Sequence, residues 1–379
     1  MTPQPDRPIR VAIAHDYLTQ RGGAERVVLA ISRAFPDAPI YTTLYDPEGT
    51  YPEFRERRIV VTGLNRFSFF RQNHRATLPL LPGTVSSQLI EADVLIASTS
   101  GWAHGFQTTG AKLVYCHSPA RWLYLTDEYF GRPAMMSLAG MGLLAMRPSL
   151  KAWDRRAALT GDKYWANSRI VQRRIQQAYG IEAELFPPPH GMDASLPQEP
   201  VEQLSAWADG YHLVVSRLLP YKNVHVVTQA FRELPQHRLV VIGHGPMESE
   251  LRQSLPPNAR LLSGLSDEQM RWAYAHCSAL IAPSFEDFGL TPLEAAAFGK
   301  PTLALRGGGY LDTVEEDATG LFFEQTTPQA IRDAVASNSG QIWDAPAIRA
   351  HADTFSEFRF RERLRVAVTR FGSLARAAR

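Results

Sequence analysis

The stretch Ala279-Leu-Ile-Ala-Pro-Ser-Phe-Glu286-Asp-Phe-Gly289-Leu-Thr-Pro-Leu-Glu294 decides how the fold is read. Ala279–Pro283 is a short continuous apolar run, the pattern of a strand buried on both faces. Gly289 interrupts it and a helical stretch follows. Thr291 is placed to cap that helix, and Pro292 suits its first turn. The segment is therefore a strand–turn–helix with a carboxylate on each side of the turn. Glu294 falls near the helix N-terminus, where backbone N–H groups and the helix dipole favour oxygen-rich ligands. Glu286 sits across the turn, at the same opening. A polyhydroxyl ligand carrying a phosphate satisfies these groups together.

Outward from this segment the strand–helix rhythm repeats. Strands are expected at 9–15, 39–44, 94–98, 113–117 and 164–168, then at 212–217, 239–243, 260–263, 279–283, 302–305 and 321–323. Helical stretches such as 23–34, 223–234 and 267–276 lie between them. This is the pattern of doubly wound α/β domains. At about 100–200 residues per domain, a chain of 379 residues holds two. The Pro-rich run Phe186-Pro-Pro-Pro-His-Gly191 and the polar residues after it mark a linker near 187–200. The expected domains are 1–190 and 191–355. An Arg-rich helix over 356–379 is expected to cross back and pack on the first.

Composition narrows the classes. No apolar run reaches the roughly 18 residues of a spanning helix. The nearest, Ala134–Met146, is too short. The start has no basic region followed by an apolar one, so no secretory signal is expected. Cys116 and Cys277 are the only cysteines, which fits buried free thiols in a reducing cytoplasm and excludes a cysteine-rich zinc site. The net charge of +2 is uneven: residues 1–195 carry 22 Lys and Arg against 17 Asp and Glu, while residues 196–379 carry 18 against 21. The excess gathers in Arg55, Arg57, Arg58, Arg66, Arg71 and Arg75, interleaved with Phe67, Phe69 and Phe70. That segment reads either as a solvated loop with a few core aromatics or as a surface for an anionic membrane or a phosphate-bearing acceptor. A near-neutral overall charge and the lack of a binding motif argue against nucleic acid.

Other motifs fall at expected strand ends, where ligands of open α/β sheets bind. Ser216-Arg217-Leu-Leu-Pro-Tyr-Lys222 sets an Arg and a Lys five apart, a fork and a point charge able to clamp a diphosphate. On their own they read as surface cations. Gly243-His-Gly245 ends a strand, and alone it is a plain βα turn. It lacks the full G-x-G-x-x-G, so no nicotinamide cofactor is argued. His15-Asp16 ends the first strand, and Arg21-Gly22-Gly23-Ala-Glu25 opens the first helix. The two glycines serve either a close phosphate approach or a tight turn with positive φ. Cys116-His117-Ser-Pro119 ends another strand, where the histidine is either a cap or a core residue. Arg121-Trp-Leu-Tyr-Leu-Thr-Asp127-Glu128-Tyr129 suits an acceptor platform or a packed helix, and Asp127-Glu128 has no third metal ligand placed by spacing. Asn167 ends the strand before the linker, and Arg306-Gly-Gly-Gly-Tyr310 follows a strand of the second domain.

The spacing Glu286-x7-Glu294, with Arg217 and Lys222 upstream and His117-x-Pro119 near the N-terminus, resembles the signature of family-4 retaining glycosyltransferases. The resemblance covers nearly the whole chain, most specifically residues 212–325. It implies the GT-B fold: two Rossmann-like domains facing across a cleft, the first for the acceptor and the second for a nucleotide-sugar. It implies catalytic roles for Arg217, Lys222, Glu286 and His117, with Glu286 binding sugar hydroxyls rather than acting as a nucleophile. Gly22, Gly23, Gly243, Phe288, Gly289, Leu290 and Glu294 are implied to bind the donor. His15, Asp16, Arg121 and Asn167 are implied to meet the acceptor. No metal and no cofactor are implied, since the nucleotide-sugar is a substrate. His15-Asp-Tyr-Leu, Gly22-Gly-Ala-Glu25 and His117-Ser-Pro-Ala-Arg121 look like bacterial mannosyltransferases of surface polysaccharide assembly. The expected donor is then GDP-mannose, and the expected acceptor a glycan or polyprenyl-diphosphate-linked saccharide. The expected location is the cytoplasm, at the inner face of the plasma membrane. The alternatives are a family-4 enzyme using a UDP-sugar, a GT-B nucleotide-sugar 2-epimerase, a non-catalytic sugar-nucleotide-binding subunit and a soluble sucrose- or trehalose-type synthase. The chain departs from the family at Pro189-His190-Gly-Met-Asp193, where His190 stands in place of an Asn.

Overall fold

The first strand of each half is flanked by its second strand on one side and by a later strand on the other, and this placement organises everything else. The computed structural model describes residues 8–73, 77–126 and 138–377 and contains two units. One runs to Pro188 and resumes at Glu357; the other is Pro189–Ser356.

In the first unit the strands are β1 Val11–His15, β2 Ile40–Thr42, β3 Ile59–Val61, β4 Leu89–Ile90, β5 Val94–Thr99, β6 Gln107–Thr108, β7 Ala111–Cys116, β8 Lys163–Ala166 and β9 Glu184–Leu185. Seven of them form a parallel sheet in the order β3-β2-β1-β5-β7-β8-β9, and β4 pairs separately with β6. Every residue of β5 and β7 is buried, which is why neither reads as an alternating strand. The helix Glu357–Ala377 belongs to this unit. Its Phe360, Leu364 and Val368 are buried in the same core as Ile13, Ile31 and Ile96. Each contributes about 1.5–3 kcal/mol of burial. Gly372 lets it lie close: a Cβ there would stand 2.8 Å from Ile9 and 2.9 Å from Val94 side-chain carbons. Arg365 donates to the Ala34 carbonyl at 3.1 Å, and Arg33 pairs with Glu357 at 2.7 Å.

The second unit holds β10 His212–Val215, β11 Leu239–Ile242, β12 Ala259–Leu262, β13 Ala279–Ala282, β14 Thr302–Leu305 and β15 Gly320–Phe323. All pair in parallel, in the order β12-β11-β10-β13-β14-β15. Succession runs outward from β10 to β12 and then jumps to β13 on the other side. Loops leaving β10 and β13 must therefore part at the carboxyl edge, and the crevice they leave is where such sheets take ligands. β1 and β5 make the corresponding switch in the first unit. Two doubly wound parallel sheets in one chain, with the last helix returned to the first, are the GT-B fold. No described helix is long and apolar enough to cross a membrane.

The expected strands appear within about two residues of their sequence bounds, and the helices Gly23–Ala34 and Asp267–His276 have the expected limits. The sequence reading missed β3, β4, β6 and β9. All are two or three residues long, too short to carry a period.

His212 opens β10 with its imidazole buried against Phe231 and His237, at centroid distances of 5.5 and 5.4 Å. Burial, then His237, lower its pKa to about 4. The unfolded chain binds this proton below about 6.5 and the folded chain only below about 4, so stability falls as pH drops through that window. Denaturant unfolding between pH 7 and pH 4 is expected to show this loss. It should be shallower in His212→Gln, whose side chain does not titrate.

Candidate active site

In the second unit the site is built from four loops at the carboxyl edge, each held against its neighbour. After β13 the chain turns at Gly289, with φ +86°, and the helix Leu290–Ala297 begins. Gly289 is its cap, not Thr291, which the sequence reading placed there. A Cβ on Gly289 would lie 2.5 Å from the Tyr310 ring, so only glycine fits and the turn closes two residues earlier. Pro292 still falls in the first turn, where its missing N–H costs nothing. The Gly309 N–H donates to the Glu286 carbonyl at 2.8 Å, and a Cβ on Gly309 would stand 2.2 Å from the Phe288 Cα. The loop after β14 thus lies flat on the loop after β13. Gly243 does the same on the other flank, where its Cβ would meet the Ser216 carbonyl at 1.9 Å. The Leu218 N–H donates to the His244 carbonyl at 2.9 Å. Asn223, in the left-handed region with φ 57°, donates from Nδ2 to the Pro283 carbonyl at 3.2 Å, joining the β10 and β13 loops across the switch point.

These ties bring charge together. Lys222 Nζ pairs with Glu286 Oε1, and Ser284 Oγ donates to the same oxygen at 2.5 Å. Glu286 Oε2 has no partner among the described residues. The Lys222 side chain is 11% exposed, so its ammonium is largely withdrawn from water. Arg217 is exposed and has no ion-pair partner among the described residues. Tyr310 is buried with its hydroxyl 3.4 Å from Ser284 Oγ. Burial, then the Glu286 charge, push its pKa well above the usual phenol value and keep it neutral. Glu294 accepts from the Tyr274 hydroxyl at 2.7 Å through Oε2. His190 lies near it: burial lowers the His190 pKa, and the Glu294 charge pulls the other way. The His190 N–H donates to the Phe355 carbonyl at 3.1 Å, and Nε2 lies 3.1 Å from the Ala352 carbonyl. Phe288 is buried with its ring 6.1 Å from that of Phe355, so it offers backbone and not side chain. Leu290 is half-buried at the first helical position.

In the first unit the structure corrects two expectations for the acceptor. Asp16 is 1% exposed, and its carboxylate accepts from the N–H groups of Ser100, Trp102 and Ala103 at 2.6–2.8 Å and from the hydroxyls of Ser100 and Thr99. It holds the loop after β5 and has no lone pair left for an acceptor. His15 is also 1% exposed, with Nδ1 3.0 Å from the Ser98 carbonyl and Nε2 4.0 Å from Glu25. Burial lowers its pKa, but hydrogen bonding and charge from Glu25 outweigh that and raise it. His117 places Nε2 2.8 Å from Ser98 Oγ. Burial, then His15, lower its pKa to about 3. Asn167 donates from Nδ2 to the His117 carbonyl at 3.1 Å and accepts from Ser168, so its amide fixes the strand end. Arg121 is half-buried at the start of a short helix. Gly22 caps the helix Gly23–Ala34 at φ −127°, so positive φ is not the reason for glycine; a Cβ would stand 2.4 Å from Glu25 Oε2. Gly23 is exposed at the first helical position, where its N–H has no helical partner.

The sequence reading missed Ser98, Ser284 and Tyr274 as site residues; it named Tyr310 only within the run Arg306–Tyr310, as a candidate lining of the sugar pocket, and it quoted Glu25 without a role. Ser98 and Ser284 stand at or just beyond strand ends, the one signal available. Arg75, Asp127, Glu128 and Tyr129, and the first four residues of the run Ala134–Met146, lie outside the described residues. Among the described residues no group of three or more His, Cys, Asp or Glu is placed to hold a metal ion. Phe67 and Phe69 are each 60% exposed beside Arg66, which has no acidic partner among the described residues.

Two Rossmann-type sheets, the second with a lysine–glutamate pair and an exposed arginine at its switch point, form a frame suited to phosphate-bearing ligands. The comparisons agree. Residues 21–196 match the model of Glycosyltransferase Family 4, and residues 202–338 match that of Glycosyl transferases group 1. Together the two matches run along most of the chain, so its likeness is to glycosyltransferases of both kinds, and its fold is GT-B. It is similar to the glycogen synthase of Pseudomonas aeruginosa, 28% identical over 181 residues, covering 46% of this chain and 31% of that protein. An alpha-1,3/1,6-mannosyltransferase of Dictyostelium discoideum is 44% identical over 63 residues, covering 16% and 15%. The chain spans about a third or less of the curated relatives it matches first. Among solved structures, Anabaena HepE in complex with UDP has a TM-score of 0.69 at 18% identity, covering 95% of this chain and 100% of that one. The sucrose-phosphate synthase of Thermosynechococcus elongatus also has a TM-score of 0.69, at 16% identity, covering 96% and 100%. At these identities the likeness is one of fold.

The loop lock has a direct test. Gly309→Ala forces the β13 and β14 loops apart and is expected to lower unfolding free energy by about 1–3 kcal/mol. Gly142→Ala, at an exposed helical position with nothing within 4 Å of the new methyl, is expected instead to raise it by about 0.5–1 kcal/mol.

Proposed function

We propose that this protein transfers a hexose, with retention, from a nucleoside-diphosphate sugar to a hydroxyl of a glycan or lipid-linked saccharide, and that the donor is GDP-mannose. The observation that carries the transfer reading is the Lys222–Glu286 pair at the switch point beside the unpaired Arg217. In a loop held this way the ammonium is preorganised where a departing diphosphate develops charge, and such groups act on the transition state without having to reorganise. Arg217 adds a planar fork. Glu286, with Oε1 occupied, would receive a sugar hydroxyl on Oε2. Glu294 would take the ribose hydroxyls, its second oxygen held by Tyr274. The first N–H groups of the helix at Leu290 would meet phosphate oxygens. These cationic groups do the work without a metal ion. The 2-epimerase reading receives no comparable support, since it does not account for matches to two transferase models along the chain.

Mannose and GDP rest on less: the N-terminal motifs, and the short similarity to a mannosyltransferase. A thermal-shift screen in EDTA against GDP, UDP, ADP and their sugar conjugates decides. A selective shift by GDP and GDP-mannose is expected. Selectivity for UDP or ADP species would discard mannose, and no shift with any nucleotide would discard the donor site. With the donor so identified, Lys222→Ala is expected to lower turnover by about 10²–10³. Near-wild-type turnover would remove Lys222 from the mechanism.

The lipid-linked acceptor fits a peripheral position at an anionic membrane, supported by the exposed Phe67 and Phe69 next to Arg66. Co-sedimentation with anionic vesicles at physiological salt is expected, weakened in the double variant Phe67→Ser and Phe69→Ser. Equal partition onto neutral vesicles, or none onto anionic ones, would argue for a soluble acceptor.

A further inference from the structure

The sheet edge of the first unit carries a buried chain of polar groups whose protons can be assigned one by one. His15 Nδ1 lies 3.0 Å from the Ser98 carbonyl, which only accepts, so this nitrogen carries the proton. Ser98 Oγ, 3.2 Å from the same nitrogen, can then only accept from it. Ser98 is fully buried, and its hydroxyl has one proton to place. The only other partner that this hydroxyl has among the described residues is His117 Nε2, at 2.8 Å. Leaving a buried donor unmade costs about 1–3 kcal/mol, so the hydroxyl donates to Nε2. Nε2 is thereby an acceptor, and a neutral imidazole with Nε2 bare holds its proton on Nδ1. His117 Nδ1 has no hydrogen-bond partner among the described residues, and His117 is 9% exposed, so that edge is left to solvent or ligand.

The far end of the chain is braced as well. His15 Nε2 faces Glu25 Oε1 at 4.0 Å, and Gln20 Nε2 donates to that oxygen at 3.1 Å. Glu25 is 2% exposed at the start of the helix that Gly22 opens. The Tyr115 ring, 5.1 Å from that of His117, sends its own hydroxyl to the Phe186 carbonyl and does not compete. The Asp16 carboxylate is taken up by the loop after β5.

We propose that Ser98 and His15, backed by Glu25, are positioning residues that hold His117 as the Nδ1–H tautomer, so that it offers a hydrogen-bond donor, and not an acceptor, to a hydroxyl of a saccharide bound at this sheet edge. The sugar contact rests on the glycosyl-transfer reading; the tautomer does not. Ser98 thus acts through His117 and makes no contact with substrate. A sugar lacking that hydroxyl leaves a buried-edge N–H unmatched, which makes this proton a device for choosing among hexoses.

The test is nitrogen-15 and proton correlation spectroscopy of the whole protein with labelled histidine, because long-range couplings distinguish the two neutral tautomers. Wild type is expected to show His117 as Nδ1–H without any nucleotide present. Ser98→Ala is expected to lose that single form and give a mixture, while Ser98→Thr keeps it. Ser98→Cys, close in volume and a weak donor, is expected to give the mixture too and serves if the alanine variant does not fold. An Nε2–H tautomer in wild type, or an unchanged tautomer in both Ser98→Ala and Ser98→Cys, overturns the proposal. Because the free protein is read, a protein with the expected tautomer that shows no thermal shift with any nucleotide sinks the transfer reading alone.

Discussion

The Gly309 N–H bonded to the Glu286 carbonyl leaves no room for a side chain between two loops, and the second unit's site depends on that contact. Both loops leave adjacent parallel strands, so without it they would diverge with the twist of the sheet. With it, Phe288, Gly289 and Tyr310 are packed as one layer, and the orientation of Glu286 is set by backbone rather than by its own rotamer. Asn223 and Gly243 extend the same constraint to the β10 and β11 loops. The glycines in these loops are used for close approach, and three of them, Gly245, Gly289 and Gly308, also for positive φ.

A half-buried lysine–glutamate pair adds little to stability, because withdrawing both charges from water offsets most of their attraction. Its value is positional. Glu286 holds the Lys222 ammonium beside the crevice while leaving one carboxylate oxygen open, and Ser284 keeps the carboxylate from swinging away. The first unit uses the same logic with neutral groups. Asp16 fastens a loop with five donors, and the strand-end hydroxyl of Ser98 links two imidazoles with different tasks. In both units the charged or polar side chains nearest the sheet edge divide into those that hold loops and those left with an open valence.

Much of this was legible in the sequence because it is local. Continuous apolar runs announced buried parallel strands, and Glu286-x7-Glu294 with Arg217 and Lys222 announced the site. What the sequence concealed is set by distance along the chain. Nothing local says that Lys222 meets Glu286 across 64 residues, or that Asp16 is saturated by a loop more than 80 residues later. His15 and Asp16 look free at a strand end because the strand that covers them, β5, is far away in sequence. The helix cap was misplaced by two residues because Thr291 and Pro292 are good starters, whereas Tyr310, packed on Gly289, decides where the turn can close. Strands of two or three residues at sheet edges left no pattern to read.

The two passages of chain between the units are fastened together inside the second one, where His190 bonds to Phe355 and reaches Ala352. The second unit is therefore an insertion whose ends meet. On a ribosome it emerges whole before the helix Glu357–Ala377 appears, while the first unit, although made earlier, still lacks Phe360, Leu364 and Val368 from its core. Domains fold as units as they emerge. The unit made second is thus the first able to finish, and the nascent first unit exposes an apolar groove over Ile13, Ile31 and Ile96 until the helix Glu357–Ala377 fills it.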